Sequence, residues 1–315
     1  MVLLAIAVLS IVSPPRSGLL VVGLAGNNGV TLLGGQIAVR RKVTWESSRD
    51  GPKSANCLGC ITQVGELPKH FDFQSFDDMA IGGWDVVPTG LGDALYNSRI
   101  FDYDLVRQVR TELNELPVMR GVWDADFYGE SQRDGATYIV PEGSRAAQLL
   151  RLREDIRRFK QESSIDEAGG GHVTVVWSAS VERPCTEYTS AAALLDAIER
   201  DDKENVSPSL VYAAAAILEG CSFVNGGSQN TIQPCLRELA TAAGSDASRG
   251  VMGAYRPPYA LGTDFKAGQT KAKTAIVECA RTHAVVLARA HACRHAHVHM
   301  PRHGMRGIEE GEMGT

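Results

Sequence analysis

The chain lacks a basic excess: 32 Lys and Arg stand against 37 Asp and Glu, giving a formal charge of -5 and a pI near 5.9. Without a whole-chain positive field, the overall balance favours neither nucleic acid nor an anionic membrane, whereas a phosphorylated small molecule needs only a local cluster of donors. The apolar run from Met1 to Val12 has no basic residues ahead of it and falls well short of the ~20 residues that span a bilayer. Cleavage near Ser17 would leave almost nothing before the first strand, so a buried segment or a misplaced start codon is preferred to a secretory signal. Also lacking is a disulfide framework, since seven cysteines are few in 315 residues; a reducing, cytoplasmic setting is the expectation. Cys57 and Cys60 make one CxxC with no second pair and no nearby pair of histidines. Two packed small residues are preferred there to a zinc or redox site.

What is present is an ordinary globular composition, 44% apolar and 22% charged, sufficient for one large domain or two ordinary ones. Gly18 to Leu24 is a short branched-apolar run that ends in Gly and Asn, which predicts a buried strand and a tight turn. Val30, Leu33 and Ile37 then share a helical face, so strand, turn and helix open a βαβ unit. Leu105, Val109, Leu113 and Leu116 make a second helical stripe behind Asp102 as N-cap, and Leu149, Leu152, Ile156 and Phe159 a third. Val173 to Trp177 predicts a buried strand. Ser207 and Pro208 start a helix that runs to Leu218 and closes at Gly220, and Phe223 and Val224 make a short strand. This alternation predicts an α/β fold with a mostly parallel sheet. Residues 244–258 read as a loop, and beyond Thr274 no amphipathic pattern persists.

Four segments have residues suited to chemistry. The turn Gly23-Leu24-Ala25-Gly26-Asn27-Asn28-Gly29 lies where a dinucleotide pyrophosphate meets free backbone N–H groups, or is simply a tight turn of αL-tolerant residues. Gly82-Gly83-Trp84-Asp85 reads as a second polar turn. Its Asp85 is either a ribose acceptor, at a spacing longer than the usual ~20 residues, or a solvated loop carboxylate. Residues 225–231 (NGGSQNT) follow a strand end, where open α/β sheets bind ligands, although many such runs are ordinary loops. Lys266, Lys271 and Lys273 fall in one short run able to clamp a phosphate or stabilise an oxyanion, or to form a solvated face.

Taken in order, VGLAGNNG at 22–29, LGCITQ at 58–63, GGWD at 82–85, WSASVER at 177–183, SPSLVYAAAAILEG at 207–220, NGGSQNT at 225–231 and TDFKAGQTK at 263–271 resemble the inositol-3-phosphate synthase family. The likeness covers roughly residues 18–274. It implies a Rossmann-like, mostly parallel NAD-binding domain over 18–231, after an apolar segment at 1–17. An incomplete α+β catalytic and tetramerisation domain would begin at 232–274, and residues 275–315 would be an unrelated, disordered tail rich in His, Ala and Arg. The resemblance further implies NAD as cofactor, glucose 6-phosphate as substrate, isomerisation to myo-inositol 3-phosphate, and a homotetramer in the family. That reaction oxidises C5, enolises at C6, closes the ring onto C1 by an aldol step and reduces the ring ketone, in a closed, dry site.

Carried over by position, Gly26, Asn27, Asn28 and Gly29 match the family's pyrophosphate turn and Asp85 an adenosine-side contact. Ser178, Ala179, Ser180 and Val181 stand in place of Thr-Ala-Asn-Thr. Gln132, Arg133, Gly227 and Asp264 match further cofactor contacts, and Lys266, Lys271 and Lys273 the start of the catalytic segment. The chain departs from the family where Gly227 and Ser228 replace Ser-Pro, where Thr263 replaces the first of two aspartates, and after Lys273, where the match stops and later family lysines are absent. Weak activity, or a non-catalytic NAD-binding fragment or mixed-oligomer subunit, is the corresponding expectation. A simple dehydrogenase is disfavoured, because no His and Asp or Tyr and Lys hydride-transfer arrangement stands out. His295, His297 and His299 would share a strand face, but a shifted reading frame accounts for that tail better than a metal site does.

Overall fold

In the first strand, alternate side chains serve two different cores. Leu20 and Val22 join one apolar cluster, while Val21, with Leu19 beside it, joins the other, as the two-residue period of a strand covered on both faces requires. The computed structural model describes residues 16–244 except 59, 61, 64 and 72, together with 257–265. In chain order the elements are β1 (Ser17–Val22), α1 (Asn27–Arg40), β2 (Thr44–Ser47), β3 (Gly51–Ser54), α2 (Leu67–His70), β4 (Ala80–Asp85), α3 (Leu91–Ser98), α4 (Tyr103–Glu115) and β5 (Met119–Arg120). There follow α5 (Arg145–Glu162), β6 (His172–Trp177), α6 (Ala191–Glu199), α7 (Pro208–Leu218), β7 (Ser222–Asn225), α8 (Pro234–Gly244) and β8 (Ala260–Leu261).

Six strands form one sheet in the order β5-β4-β1-β6-β7-β8, with every pairing parallel. Counted along the chain, that is the 3-2-1-4-5-6 order of the dinucleotide-binding fold, whose ligand crevice opens where the strand order reverses, here between β1 and β6. Helices α1, α3 and α4 cover one face around Val30, Leu33, Leu95 and Leu113. The other face is covered by α5 and α7 around Leu152, Ile156, Val175 and Trp177. Every residue of α7 from Pro208 to Ile217 is buried; a helix with no polar face belongs inside, and each of its large apolar side chains contributes roughly 1.5–3 kcal/mol by burial. Ser207 caps this helix by accepting from the N–H of Leu210, and Gly220, at φ +76, ends it.

Two local readings need correction. The Gly82-Gly83-Trp84-Asp85 segment is not a turn but the end of β4, with Gly82 to Trp84 paired to Leu20 to Val22 of β1 and Asp85 paired to Arg120 of β5. A Cβ on Gly83 would lie 2.0 Å from the carbonyl oxygen of Val21, so its glycine permits close strand approach rather than a bend. The excess length before Asp85 is taken up by the antiparallel β2–β3 hairpin and by the longer segment 55–79 that carries α2. Asp102 does precede α4, but its carboxylate makes no cap bond. It accepts instead from Trp45 Nε1 at 3.1 Å and from the N–H and hydroxyl of Ser48, fastening the hairpin to α4.

The described residues belong to one compact unit that ends at Phe265 and includes α8 and β8. Most of the expected 244–258 loop, all of 266–315 and residues 1–15 lie outside the described residues. Among those described, no helix is long and apolar enough to cross a membrane.

Candidate cofactor site

At the carboxyl ends of β1, β4 and β6 the chain leaves a crevice of about 680 Å³. Its floor is the turn after β1. Gly23 adopts φ +87, and a Cβ there would lie 3.0 Å from the backbone of Ala179 on the loop after β6. Gly26 stands at the N-cap of α1 without a side-chain cap. The first-turn N–H groups of a helix have no intrahelical acceptor, so this end of α1 presents backbone donors and the positive end of a helix dipole to the crevice. Gly29 brings the helix close to the turn, since a Cβ at that position would lie 2.2 Å from the carbonyl oxygen of Leu24.

Asp85 supplies the one charged side chain among the described lining residues. Its Oδ2 accepts from Ala25 N at 2.7 Å, and its Oδ1 accepts from Val86 N at 2.8 Å and Val87 N at 3.0 Å. The carboxylate therefore ties the phosphate-type turn to the end of β4, the position at which dinucleotide folds put their ribose-binding acid. An ionised carboxylate offers about four lone-pair sites, so three backbone partners leave one free. Burial pushes its pKa up, against the three N–H groups that favour the charged form. With no Lys or Arg among the described lining residues, a pyrophosphate here would be balanced by the α1 N-terminus.

Several of the residues expected from the sequence converge on this crevice. Gly26, Asn27, Asp85, Gln132, Ser178, Ala179 and Ser180 line it. Asn28 donates from Nδ2 to Ser178 Oγ at 3.1 Å, joining the loops after β1 and β6. Others stand apart from the lining. Val181 is exposed, and the exposed Arg133 donates to the carbonyl of Ala125 at 3.4 Å. Gly227 donates to Asn225 Oδ1 in the loop after β7. Asp264 is exposed, but the N–H of its neighbour Phe265 reaches Gly226 O at 3.1 Å, which brings the start of the expected catalytic segment beside that loop. Lys266, Lys271, Lys273 and the histidine-rich tail lie outside the described residues. Among those described, no group of three or more His, Cys, Asp or Glu could hold a metal ion.

Sequence reasoning missed the aromatic wall. Trp123 and Tyr128, in the loop after β5, stack with ring centroids 4.1 Å apart and planes 5° apart, and both line the crevice with Trp84, Trp177 and Tyr212. Tyr212 accepts the N–H of Val122 at 2.9 Å from within α7. The signal was present in the unusual Tyr of an otherwise Ala-rich helix, but nothing in the sequence says which loop it meets. These features suit a dinucleotide: a cradle that a single Cβ would fill, donors at a helix end, and flat apolar walls for rings.

Comparison with known proteins agrees with that chemistry. Residues 17–248 match the NAD-binding domain of the family described as Myo-inositol-1-phosphate synthase. Similar curated proteins include Inositol-3-phosphate synthase 1 of Populus euphratica, 34% identical over 286 residues, and Inositol-3-phosphate synthase isozyme 1 of Arabidopsis thaliana, 32% identical. Each match covers 84% of this chain and 51% of the relative. A crystal structure of inositol-3-phosphate synthase from Caenorhabditis elegans aligns with a TM-score of 0.72 at 31% identity, over 83% of this chain and 51% of that one. A myo-inositol-1-phosphate synthase-related protein from Thermotoga maritima, at 19% identity and a TM-score of 0.50 over 81% of this chain and 56% of that one, shares the fold. The chain spans about half the length of the curated relatives it matches.

Proposed function

This chain belongs to the myo-inositol-1-phosphate synthase family, and from that premise we propose that it takes part in converting glucose 6-phosphate to myo-inositol 3-phosphate in the cytoplasm. The observation that supports the reading best is the uncapped, glycine-cradled N-terminus of α1 at the sheet's switch point. When bound, NAD would supply hydride chemistry, the oxidation and later reduction at C5 of the sugar phosphate.

In this reading Gly26, Asn27, Asn28 and Gly29 receive the pyrophosphate, and Asp85 fixes the turn while offering its remaining lone pair to the adenosine ribose. Gln132, Ser178, Ala179 and Ser180 complete the crevice, with Arg133, Val181, Gly227 and Asp264 as outer contacts. Lys266, Lys271 and Lys273 would hold the substrate phosphate and stabilise the oxyanion of the aldol closure. Residues 232–274 would then begin a catalytic region that follows the NAD-binding domain.

The test is incubation of the chain with glucose 6-phosphate and a small amount of NAD. Inositol phosphate formed without net NADH supports the reading, and NAD consumed in step with substrate refutes it. NAD binding with no product would reduce the proposal to a cofactor-binding module.

A further inference from the structure

Glu182 is 4% exposed and lies outside the lining of the cofactor crevice, yet it is bonded to it. Its Oε1 accepts the phenol hydrogen of Tyr128 at 3.1 Å and the N–H of Ser209 at 2.9 Å, and its Oε2 accepts the Ser209 hydroxyl at 2.5 Å. Ser209 Oγ also lies 2.8 Å from Thr231 Oγ1. One carboxylate thereby joins the loops after β5 and β6 to the N-terminus of α7, and through Ser209 to the loop after β7. Glu182, Ser209 and Thr231 also line a second cavity of about 300 Å³, so the carboxylate stands in the wall between the two spaces.

For stability alone this is a poor arrangement. Burial is the leading cause of its raised pKa, and the groups that oppose the shift are neutral donors from Ser209, Ser207 and Tyr128. Burying a carboxyl is costly, and well-packed replacements of buried ionisable groups are often no less stable. What the carboxyl provides is a pair of acceptor oxygens that gather the Tyr128 phenol and both donors of Ser209. The donor that matters is Tyr128, whose ring stacks on Trp123 and walls the crevice.

We propose that Glu182 is a positioning residue for the cofactor: through the Tyr128 hydroxyl it holds the stacked Trp123–Tyr128 wall at the spacing against which the bound dinucleotide packs. The inference rests on the reading of the crevice as an NAD site. It is tested by titrating NAD calorimetrically into the full chain and into Glu182→Gln, Tyr128→Phe and the double variant, with melting temperatures measured without NAD.

Each single variant is expected to weaken NAD binding about tenfold, the size of one buried hydrogen bond. The double variant should be no worse, because both changes cut the same link. Unchanged affinity in Glu182→Gln overturns the proposal, and so does a double variant weakened about a hundredfold. A fall in melting temperature with affinity intact also overturns it, since that is the mark of a merely structural carboxylate. If Glu182→Gln does not fold, Tyr128→Phe keeps the ring and carries the test, and wild-type affinity there is equally fatal. An unaltered chain that takes up no NAD overturns the cofactor reading together with this one, whereas normal uptake insensitive to the variants overturns this one alone.

Discussion

Two glycines of α1 should respond to the same substitution with opposite signs. At Gly29 an added Cβ would lie 2.2, 2.7 and 2.8 Å from the O, C and Cα of Leu24. These are backbone atoms, and the Leu24 N–H is itself bonded to Trp84 O at 3.0 Å, so the turn has little room to give. Overpacking usually costs about 1–3 kcal/mol, and a backbone obstacle puts Gly29→Ala at about the upper end. The gain in helix propensity returns at most about 1 kcal/mol, leaving a net loss of about 2 kcal/mol. At Gly35 a Cβ meets nothing within 4 Å, so Gly35→Ala should gain about 1 kcal/mol. In a unit of this size the changes correspond to a fall of about 4–8 °C in Tm for Gly29→Ala and a rise of about 2–4 °C for Gly35→Ala. Urea unfolding of both variants measures the difference. Equal stability of the two, or a Gly29→Ala chain within about 0.5 kcal/mol of the unaltered one, would refute the close-approach argument and with it the cradle.

Glu219 gives a pH prediction. Burial opposes its ionisation, but Arg157 and Arg153, each with a 2.6 Å contact, outweigh burial and hold the carboxyl below its usual range. Its stabilisation is therefore complete above the unfolded value of ~4.3 and is lost as pH falls through the folded one. Glu219→Gln should cost about 1 kcal/mol at neutral pH and close to nothing in strong acid; a penalty independent of pH in urea titrations would contradict the ion-pair account. Arg145, 1% exposed, donates to Val206 O and Gln148 Oε1 and pairs with Asp124. Arg145→Met leaves these acceptors stranded and should cost about 3 kcal/mol or more, so a loss under about 1 kcal/mol would show that water or repacking replaces the guanidinium.

The parts legible in the sequence were those set by neighbours in the chain. The β1 turn and α7 carry their own start and stop signals at Gly23, Gly26, Ser207, Pro208 and Gly220. Asp85 was recognised as a candidate acid but assigned to a turn, because consecutive glycines look like a turn until β1 is laid beside them. The β2–β3 hairpin was missed because its strands are short and polar and are held by Asp102, 57 residues beyond Trp45. Glu182 lay in plain view inside a quoted motif, yet its role depends on Tyr128, 54 residues before it, and Ser209, 27 after. Contacts of that range leave no local pattern to read.

NAD belongs in the crevice at the end of β1. The most direct test is calorimetric titration of NAD into the unaltered chain, with Gly29→Ala in parallel. Saturable one-to-one binding is expected, stabilising the unaltered chain by about 2.7 kcal/mol at a hundredfold excess over Kd, with a marked loss of that binding in Gly29→Ala. No binding at millimolar NAD, or equal binding by both chains, would contradict that placement.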